Sequence, residues 1–137
     1  MKIVLDTNVL VSGLIKPYDT PARILGSILN QELTLVLDTR ILSEYRVVLM
    51  RPKFLFDLTY VGWLLDFFEH VATIVTPSPL RLNLKDPYDE PFLEVAIFAS
   101  VDSLITGNQK HFPQSKAKGI VICSPSEFCG RYLGMKK

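Results

Sequence analysis

Short apolar runs alternate with longer amphipathic segments along the chain. The first run, Ile3-Val4-Leu5, stops at Asp6, and Thr7-Asn8 then leads into a second apolar stretch, Val9-Leu10-Val11. This reads as a buried strand over 2–6 followed by a helix over 7–16 that ends before Pro17. Thr20 caps a new helix with Pro21 at its first position, carried to about Gln31 by the spacing Ile24, Leu25, Ile28, Leu29. The aliphatic segment 33–37 is a second strand. Asp38 and Thr39 offer a cap for a helix over 40–51, closed by Pro52, and Asp57 opens a helix through Val71 with Val61, Leu64, Leu65 and Phe68 on its apolar positions.

A third strand over 73–76 runs into the connector Pro77-Ser78-Pro79. The helix over 89–101 carries Phe92, Leu93, Val95, Ala96, Ile97, Phe98 and Ala99 around its whole axis, which predicts burial on all sides. A fourth strand over 103–106, a turn or short helix over 107–112 and a fifth strand over 119–122 follow. Ser124-Pro125-Ser126-Glu127 combines a capping box with Pro at the first position and opens a last helix to about Tyr132. This βαβ repetition predicts an α/β fold, with a mostly parallel sheet of about five strands covered by helices on both faces, in one domain over 1–137.

Ligands of open α/β sheets gather at the carboxyl ends of the strands. Asp6 follows the first strand, Asp86, Asp89 and Glu90 open the apolar helix, and Asn108 follows the fourth strand, all at that edge. Glu44 lies inside the third helix. At about 100° per residue, Ile41, Leu42, Tyr45, Val48 and Leu49 form its apolar stripe, with Arg40, Glu44 and Arg51 aligned beside it. Each of these residues also has a structural reading: a helix cap for Asp6 or Asp86, a helix-dipole partner for Asp89 or Glu90, an ion pair with Arg40 or Arg51 for Glu44, and a turn for Asn108. The functional reading rests on their coincidence.

Composition narrows the picture. At 137 residues and 48% hydrophobic, the chain can fill a proper core. Cys123 and Cys129 match neither a zinc spacing nor a redox pair and read as reduced thiols. No apolar run reaches the roughly 18 residues of a membrane span, and an acid interrupts the N-terminus too early for a signal peptide, so the expected location is the cytoplasm. A formal net charge of +1 says little about partners, but Arg40, Arg46, Arg51 and Lys53 cluster in one segment and Lys110, His111, Lys116 and Lys118 in another.

Carboxylates gathered at one edge repel one another unless a cation sits among them. Oxygen ligands without histidine or cysteine suit Mg²⁺ or Mn²⁺ rather than zinc. Such ions engage phosphate oxygens and activate water, especially as a pair about 4 Å apart. Basic residues beside them, Arg40, Arg51, Lys53 and Lys110, would hold a nucleic-acid backbone. The residues thus describe a nuclease site without a protein nucleophile.

Four stretches in order resemble the PIN domain family, and most closely its branch of toxin components of toxin-antitoxin systems. They are Leu5-Asp6-Thr7-Asn8-Val9-Leu10-Val11-Ser12, Ile41-Leu42-Ser43-Glu44, Asp86-Pro87-Tyr88-Asp89-Glu90-Pro91-Phe92-Leu93-Glu94-Val95-Ala96, and Leu104-Ile105-Thr106-Gly107-Asn108. The resemblance implies a three-layer α/β/α fold, Mg²⁺- or Mn²⁺-dependent ribonuclease activity, a dimer or higher oligomer, and a partner antitoxin that blocks the site. It assigns metal-binding and catalytic roles to Asp6, Glu44 and Asp89, and a catalytic role to Asn108. Glu90 would replace Asp89 if the match shifted by one residue, and Asp86 is within reach as an outer ligand. Asn108 stands where many relatives have a fourth acid, and a neutral amide there puts a tightly held second metal in doubt. Thr7, Asn8 and Thr106 fall at positions that support the acids or the attacking water.

Other classes fit less well. A haloacid-dehalogenase-type phosphatase needs a second Asp where Asn8 stands, and a Rossmann-like nucleotide module needs a glycine-rich turn that Thr7-Asn8 does not supply. A catalytically weak PIN module acting in RNA or protein binding is the alternative that Asn108 supports.

Overall fold

The computed structural model describes residues 1–134. The strands are β1 (Lys2–Leu5), β2 (Thr34–Leu37), β3 (Thr73–Ile74), β4 (Ser103–Ile105) and β5 (Val121–Cys123), all parallel in the order β3-β2-β1-β4-β5. The helices are α1 (Thr7–Ile15), α2 (Thr20–Leu29), α3 (Thr39–Leu49), α4 (Leu58–Val71), α5 (Glu90–Ala99) and α6 (Pro125–Tyr132). The α/β architecture is the one the sequence pattern predicts.

Strand order explains where a site can form. From β1 the chain moves outward through β2 to β3, then crosses back over β1 to β4 and β5. Right-handed crossovers therefore place the helices of the two halves on opposite faces, and the reversal of direction opens a crevice beyond the carboxyl ends of β1 and β4. The pairing Leu5↔Ile105 sets these two ends side by side. Asp6 continues the ladder by one bond, its N–H reaching the Ile105 carbonyl at 3.0 Å.

The core is built from the β1 residues Ile3, Val4 and Leu5, the β2 residues Leu35, Val36 and Leu37, and the inward faces of the helices. α5 packs on β1, β2 and β4, while α2 packs on α1 and α6. Tyr45 of α3 is completely buried and donates its hydroxyl to the Leu5 carbonyl at 2.5 Å, with its ring edge-on to Phe68. That contact docks α3 on the last residue of β1 and so fixes Glu44, the preceding residue, beside Asp6.

Several local expectations shift. Asp19, not Thr20, caps α2, since Thr20 is already helical and its N–H bonds Asp19 Oδ1 at 2.8 Å. β3 is two exposed residues rather than the predicted 73–76, a short edge strand of the kind that limits pairing with other chains. β5 starts at Val121 rather than 119, because Lys118 and Gly119 turn the chain with φ of 49° and 90°. α5 is not enclosed all round: Phe92, Leu93, Val95 and Ala96 are buried against the sheet, whereas Phe98 is 55% exposed. The caps from Asp38 and Asp57 and the Ser124/Glu127 capping box form as the sequence predicts. Cys123 and Cys129 are free and buried. Among the described residues no helix is long and apolar enough to cross a membrane.

Candidate functional site

A cleft of about 1080 Å³ opens at the crevice beyond β1 and β4, and Asp6, Glu44, Asp86, Asp89, Asn108 and His111 line it. Thr7, Asn8, Arg40 and Arg51 also reach it, while Glu90, Lys53 and Lys110 lie outside its lining. Residues from four separate stretches of chain thus meet in one place.

Asp6 sits at the extended N-cap of α1 and is nearly buried. Its Oδ1 accepts the Thr7 N–H at 2.8 Å and its Oδ2 accepts the hydroxyl of the fully buried Thr106 at 2.8 Å. Thr106 Oγ1 in turn accepts the Asn108 N–H at 3.0 Å. The Thr7 hydroxyl donates to Glu44 Oε2. Asn8 acts on the backbone instead, its Oδ1 accepting the Gly107 N–H at 3.3 Å and tying the loop after β4 to α1. Thr7 therefore holds both Asp6 and Glu44, Thr106 holds the other oxygen of Asp6, and Asn8 holds the loop that carries Asn108.

The three acids 86, 89 and 90 separate by what each is already bonded to. Asp86 Oδ1 caps the 3-10 turn Pro87–Asp89 by accepting the Tyr88 N–H at 2.9 Å. Glu90 is the first residue of α5 and is not among the residues that line the cleft. Asp89 stands at the N-cap of α5 yet makes no capping bond. Its Oδ2 is enclosed and makes no hydrogen bond, although His111 Nδ1 lies 3.0 Å away in an ion-pair contact. Of the three, Asp89 has a buried carboxylate oxygen that no backbone N–H holds and that only His111 faces among the described residues.

The acids perturb one another. Burial raises the Asp6 pKa and nearby Asp89 raises it further, against the lowering effect of the Thr106 hydroxyl. Glu44 is raised by burial and by Asp6 and Asp86, with the Thr7 hydroxyl and Arg51 opposing. Asp89 is raised by burial and by Asp86 and Glu44, with His111 opposing. A shared negative potential of this kind, in a partly desolvated cleft, favours a cation. The donor set is all oxygen apart from His111, which fits a hard divalent ion that keeps part of its water. Among the described residues, no group of three His, Cys, Asp or Glu side chains forms a ready-made metal cage.

The basic residues differ in availability. Arg40 is tied down: its Nη2 and Nε reach Asp38 Oδ2 at 2.7 and 2.8 Å, and its Nη1 reaches Glu94 Oε1 at 2.7 Å. Glu94, buried inside α5, also accepts the Leu80 N–H at 2.8 Å. Arg51 lines the cleft with no carboxylate partner among the salt bridges of the described residues. Lys53 is exposed and lies over the Phe54 ring, 5.0 Å from its centroid. Sequence reasoning placed His111 only in a basic cluster and assigned no role to Glu94. Their partners are distant in sequence, so charge pattern alone gave no signal for either contact.

The fold has counterparts among solved structures, and the sequence has a relative and a matching family model. The structure of VapBC2 from Rickettsia felis bound to a DNA fragment from their promoter matches 90% of this chain and 98% of the compared chain, with a TM-score of 0.58 at 19% identity. The structure of FitAB bound to an IR36 DNA fragment matches 90% and 94%, with a TM-score of 0.52 at 17% identity. At those identities the likeness is one of fold. In sequence, an uncharacterized protein of Methanocaldococcus jannaschii is 30% identical over 112 residues, covering 80% of this chain and 72% of that protein. A PIN domain family model matches residues 2–110, a span that holds Asp6, Glu44, Asp89 and Asn108 and the strands that bring them together. By that match the chain belongs to the PIN domain family.

Proposed function

We propose that this protein is a Mg²⁺- or Mn²⁺-dependent endoribonuclease, the toxin of a toxin-antitoxin pair, working as a homodimer or higher oligomer in the cytoplasm. The observation that carries the reading is the convergence of Asp6, Glu44 and Asp89 in one cleft, each with its pKa raised by burial and by neighbouring acids. Asp6, Glu44 and Asp89 would hold the ion, with Asp86 as an outer ligand. When bound, the ion supplies activation of water and neutralisation of phosphate charge.

The chain's own residues prepare that chemistry. The Thr7 N–H and the Thr106 hydroxyl fix both oxygens of Asp6, and the Thr7 hydroxyl orients Glu44. Arg51, at the cleft, and the exposed Lys53 and Lys110 draw in the RNA backbone. Arg40 lines the cleft too, but its bonds to Asp38 and Glu94 support a structural role for it ahead of the expected contact with the RNA backbone. The fold shared with the VapBC2 and FitAB structures supports the toxin-antitoxin setting. A cognate antitoxin would then cover this cleft.

Cleavage of labelled RNA tests the proposal, with wild type compared against Asp6→Asn and Glu44→Gln in Mg²⁺, Mn²⁺ or chelator. Cutting should require metal and be lost in both variants; activity that persists in chelator or in Asp6→Asn overturns it. Asn108, a neutral amide lining the cleft, favours a second reading, a PIN module that binds RNA or protein without turnover. RNA binding without cleavage, unchanged by Asp6→Asn, would establish that reading. For the toxin assignment, expression in a bacterial host should arrest growth for wild type and not for Asp6→Asn.

A further inference from the structure

The cleft is not lined by acids alone. Tyr88 lines it while remaining 77% exposed, one residue before Asp89. A side chain so exposed is ordinarily free to move, but the backbone beneath this one is pinned. Pro87 opens the 3-10 turn, Asp86 Oδ1 takes the Tyr88 N–H at 2.9 Å, and the Asp89 N–H bonds the Asp86 carbonyl at 3.0 Å. A planar aromatic on a stiff turn has two side-chain torsions to fix, so it offers a large contact face at low entropic cost. The chain has another highly exposed tyrosine, Tyr18 at 96%, but it borders a separate pocket away from the acids.

The α3 side of the same cleft is apolar. Val47, 62% exposed, Val48 and the half-buried Phe54 line it alongside Glu44 and Arg51. Phosphates and ribose hydroxyls have no use for such a wall, whereas the face of a nucleobase does. Acids for an ion, an arginine for phosphate and aromatic or aliphatic surface for bases are the three chemistries of one nucleotide-sized ligand.

We propose that Tyr88 is a base-stacking residue that positions the nucleotide whose phosphate lies at the acids, with the apolar wall of Val47, Val48 and Phe54 receiving the neighbouring base. The inference rests on the ribonuclease reading for its substrate, but it concerns binding and is separable from turnover. Tyr88 would set which phosphate is presented to Asp89 and contribute to base preference.

Binding of a short fluorescently labelled oligoribonucleotide with non-hydrolysable phosphonate linkages, read by anisotropy in Mg²⁺, tests this without cleavage. An abasic ribose-phosphate oligomer of the same length serves as comparison. Tyr88→Ala should weaken the base-containing oligomer by roughly tenfold. Tyr88→Phe should keep wild-type affinity, Tyr18→Ala should change nothing, and the abasic oligomer should bind wild type and Tyr88→Ala alike. A 2-aminopurine placed in the oligomer should be quenched by wild type and Tyr88→Phe and not by Tyr88→Ala. Unchanged affinity in Tyr88→Ala, or an equal loss on both oligomers, overturns the proposal. If metal-dependent cleavage is absent while this pattern holds, the nuclease reading falls and the stacking role stands; the reverse result removes the stacking role alone.

Discussion

The Thr106 hydroxyl donates to Asp6 Oδ2 at 2.8 Å across a hundred residues of sequence, because β1 and β4 are parallel neighbours that end together. Both groups are buried, and among the described residues no other hydrogen bond reaches that oxygen. Thr106→Val should cost about 1–3 kcal/mol in denaturant unfolding, the penalty for a buried acceptor left without its donor. It should also raise the Asp6 pKa further, since the lost hydroxyl is the largest of the influences that oppose burial there. Mn²⁺ titrations at several pH values should then need a higher pH for half-binding, and Thr106→Ser should restore the wild-type profile. An unchanged profile in Thr106→Val would show that Asp6 is not a ligand.

Glu44 should be a residue that the metal-free protein is more stable without. Burial and the nearby Asp6 and Asp86 raise its pKa above the ordinary 4.5. The folded protein therefore holds the Glu44 proton more tightly than the unfolded chain does. Its contribution to stability is full below the unfolded value and is lost as pH rises through the folded one. At neutral pH, Glu44→Gln removes an unfavourable charge while its amide oxygen can still accept from Thr7. In chelator the melting temperature should rise by roughly 1–3 °C at pH 7, kept small by solvent screening of a half-exposed side chain. That gain should vanish toward pH 4. Added Mg²⁺ should stabilise wild type more than the variant. A variant less stable than wild type at pH 7 would contradict this account.

How much of this was legible beforehand depends on the range of the interaction. Asp6 stood out because an apolar run ends there, and Glu44 because helical spacing put it beside a clear apolar stripe. Both are local patterns, and the sheet then brought them together as the βαβ alternation implied. What distinguishes Asp86, Asp89 and Glu90 is not local: the Asp86 side chain is bonded to its own turn and the Asp89 side chain makes no capping bond, a difference set by the backbone geometry. Phe98 misled for a related reason. Its helix is apolar around much of its axis, yet the sheet covers one side of it, leaving Phe98 outward. The Asp89–His111 and Arg40–Glu94 contacts join segments that the chain order keeps apart, and no spacing rule reports such pairs.

Arg40 and Arg51, aligned on one side of α3 in the sequence, should separate cleanly by experiment. Arg40 bridges Asp38 and the buried Glu94, so Arg40→Gln strands a buried carboxylate. It should cost about 1–3 kcal/mol, less than a fully buried pair because the guanidinium is half exposed. Lys in its place should rescue little, since one ammonium cannot reproduce the fork-shaped contact to two acids. Arg51→Ala should leave stability within about 0.5 kcal/mol. It should weaken RNA binding and make the salt dependence of log K shallower by roughly one unit. Chemical denaturation alongside anisotropy at two salt concentrations separates the two effects. Loss of RNA affinity in Arg40→Lys with stability intact would return Arg40 to the binding surface.

Asn108 is the position expected to set how strongly the proposed site holds cations. It lines the cleft at the end of β4, its backbone N–H is bonded to Thr106, and among the described residues its side-chain amide makes no hydrogen bond. Replacing that amide with a carboxylate therefore breaks no bond and adds one negative charge to a cluster in which Asp6, Glu44 and Asp89 already raise one another. Without metal the added repulsion should lower the melting temperature of Asn108→Asp. With metal the sign reverses, because an ion among the acids gains a further oxygen ligand. Mn²⁺ affinity should rise by roughly five- to thirtyfold, corresponding to ~1–2 kcal/mol at low salt. Isothermal titration with Mn²⁺ and Mg²⁺, together with melting curves in chelator and in metal, reads both halves. The two shifts have one cause and should occur together. A lower melting temperature without any gain in affinity would place Asn108 near the acids but outside the metal's ligands, and no change in either would place it beyond their field altogether.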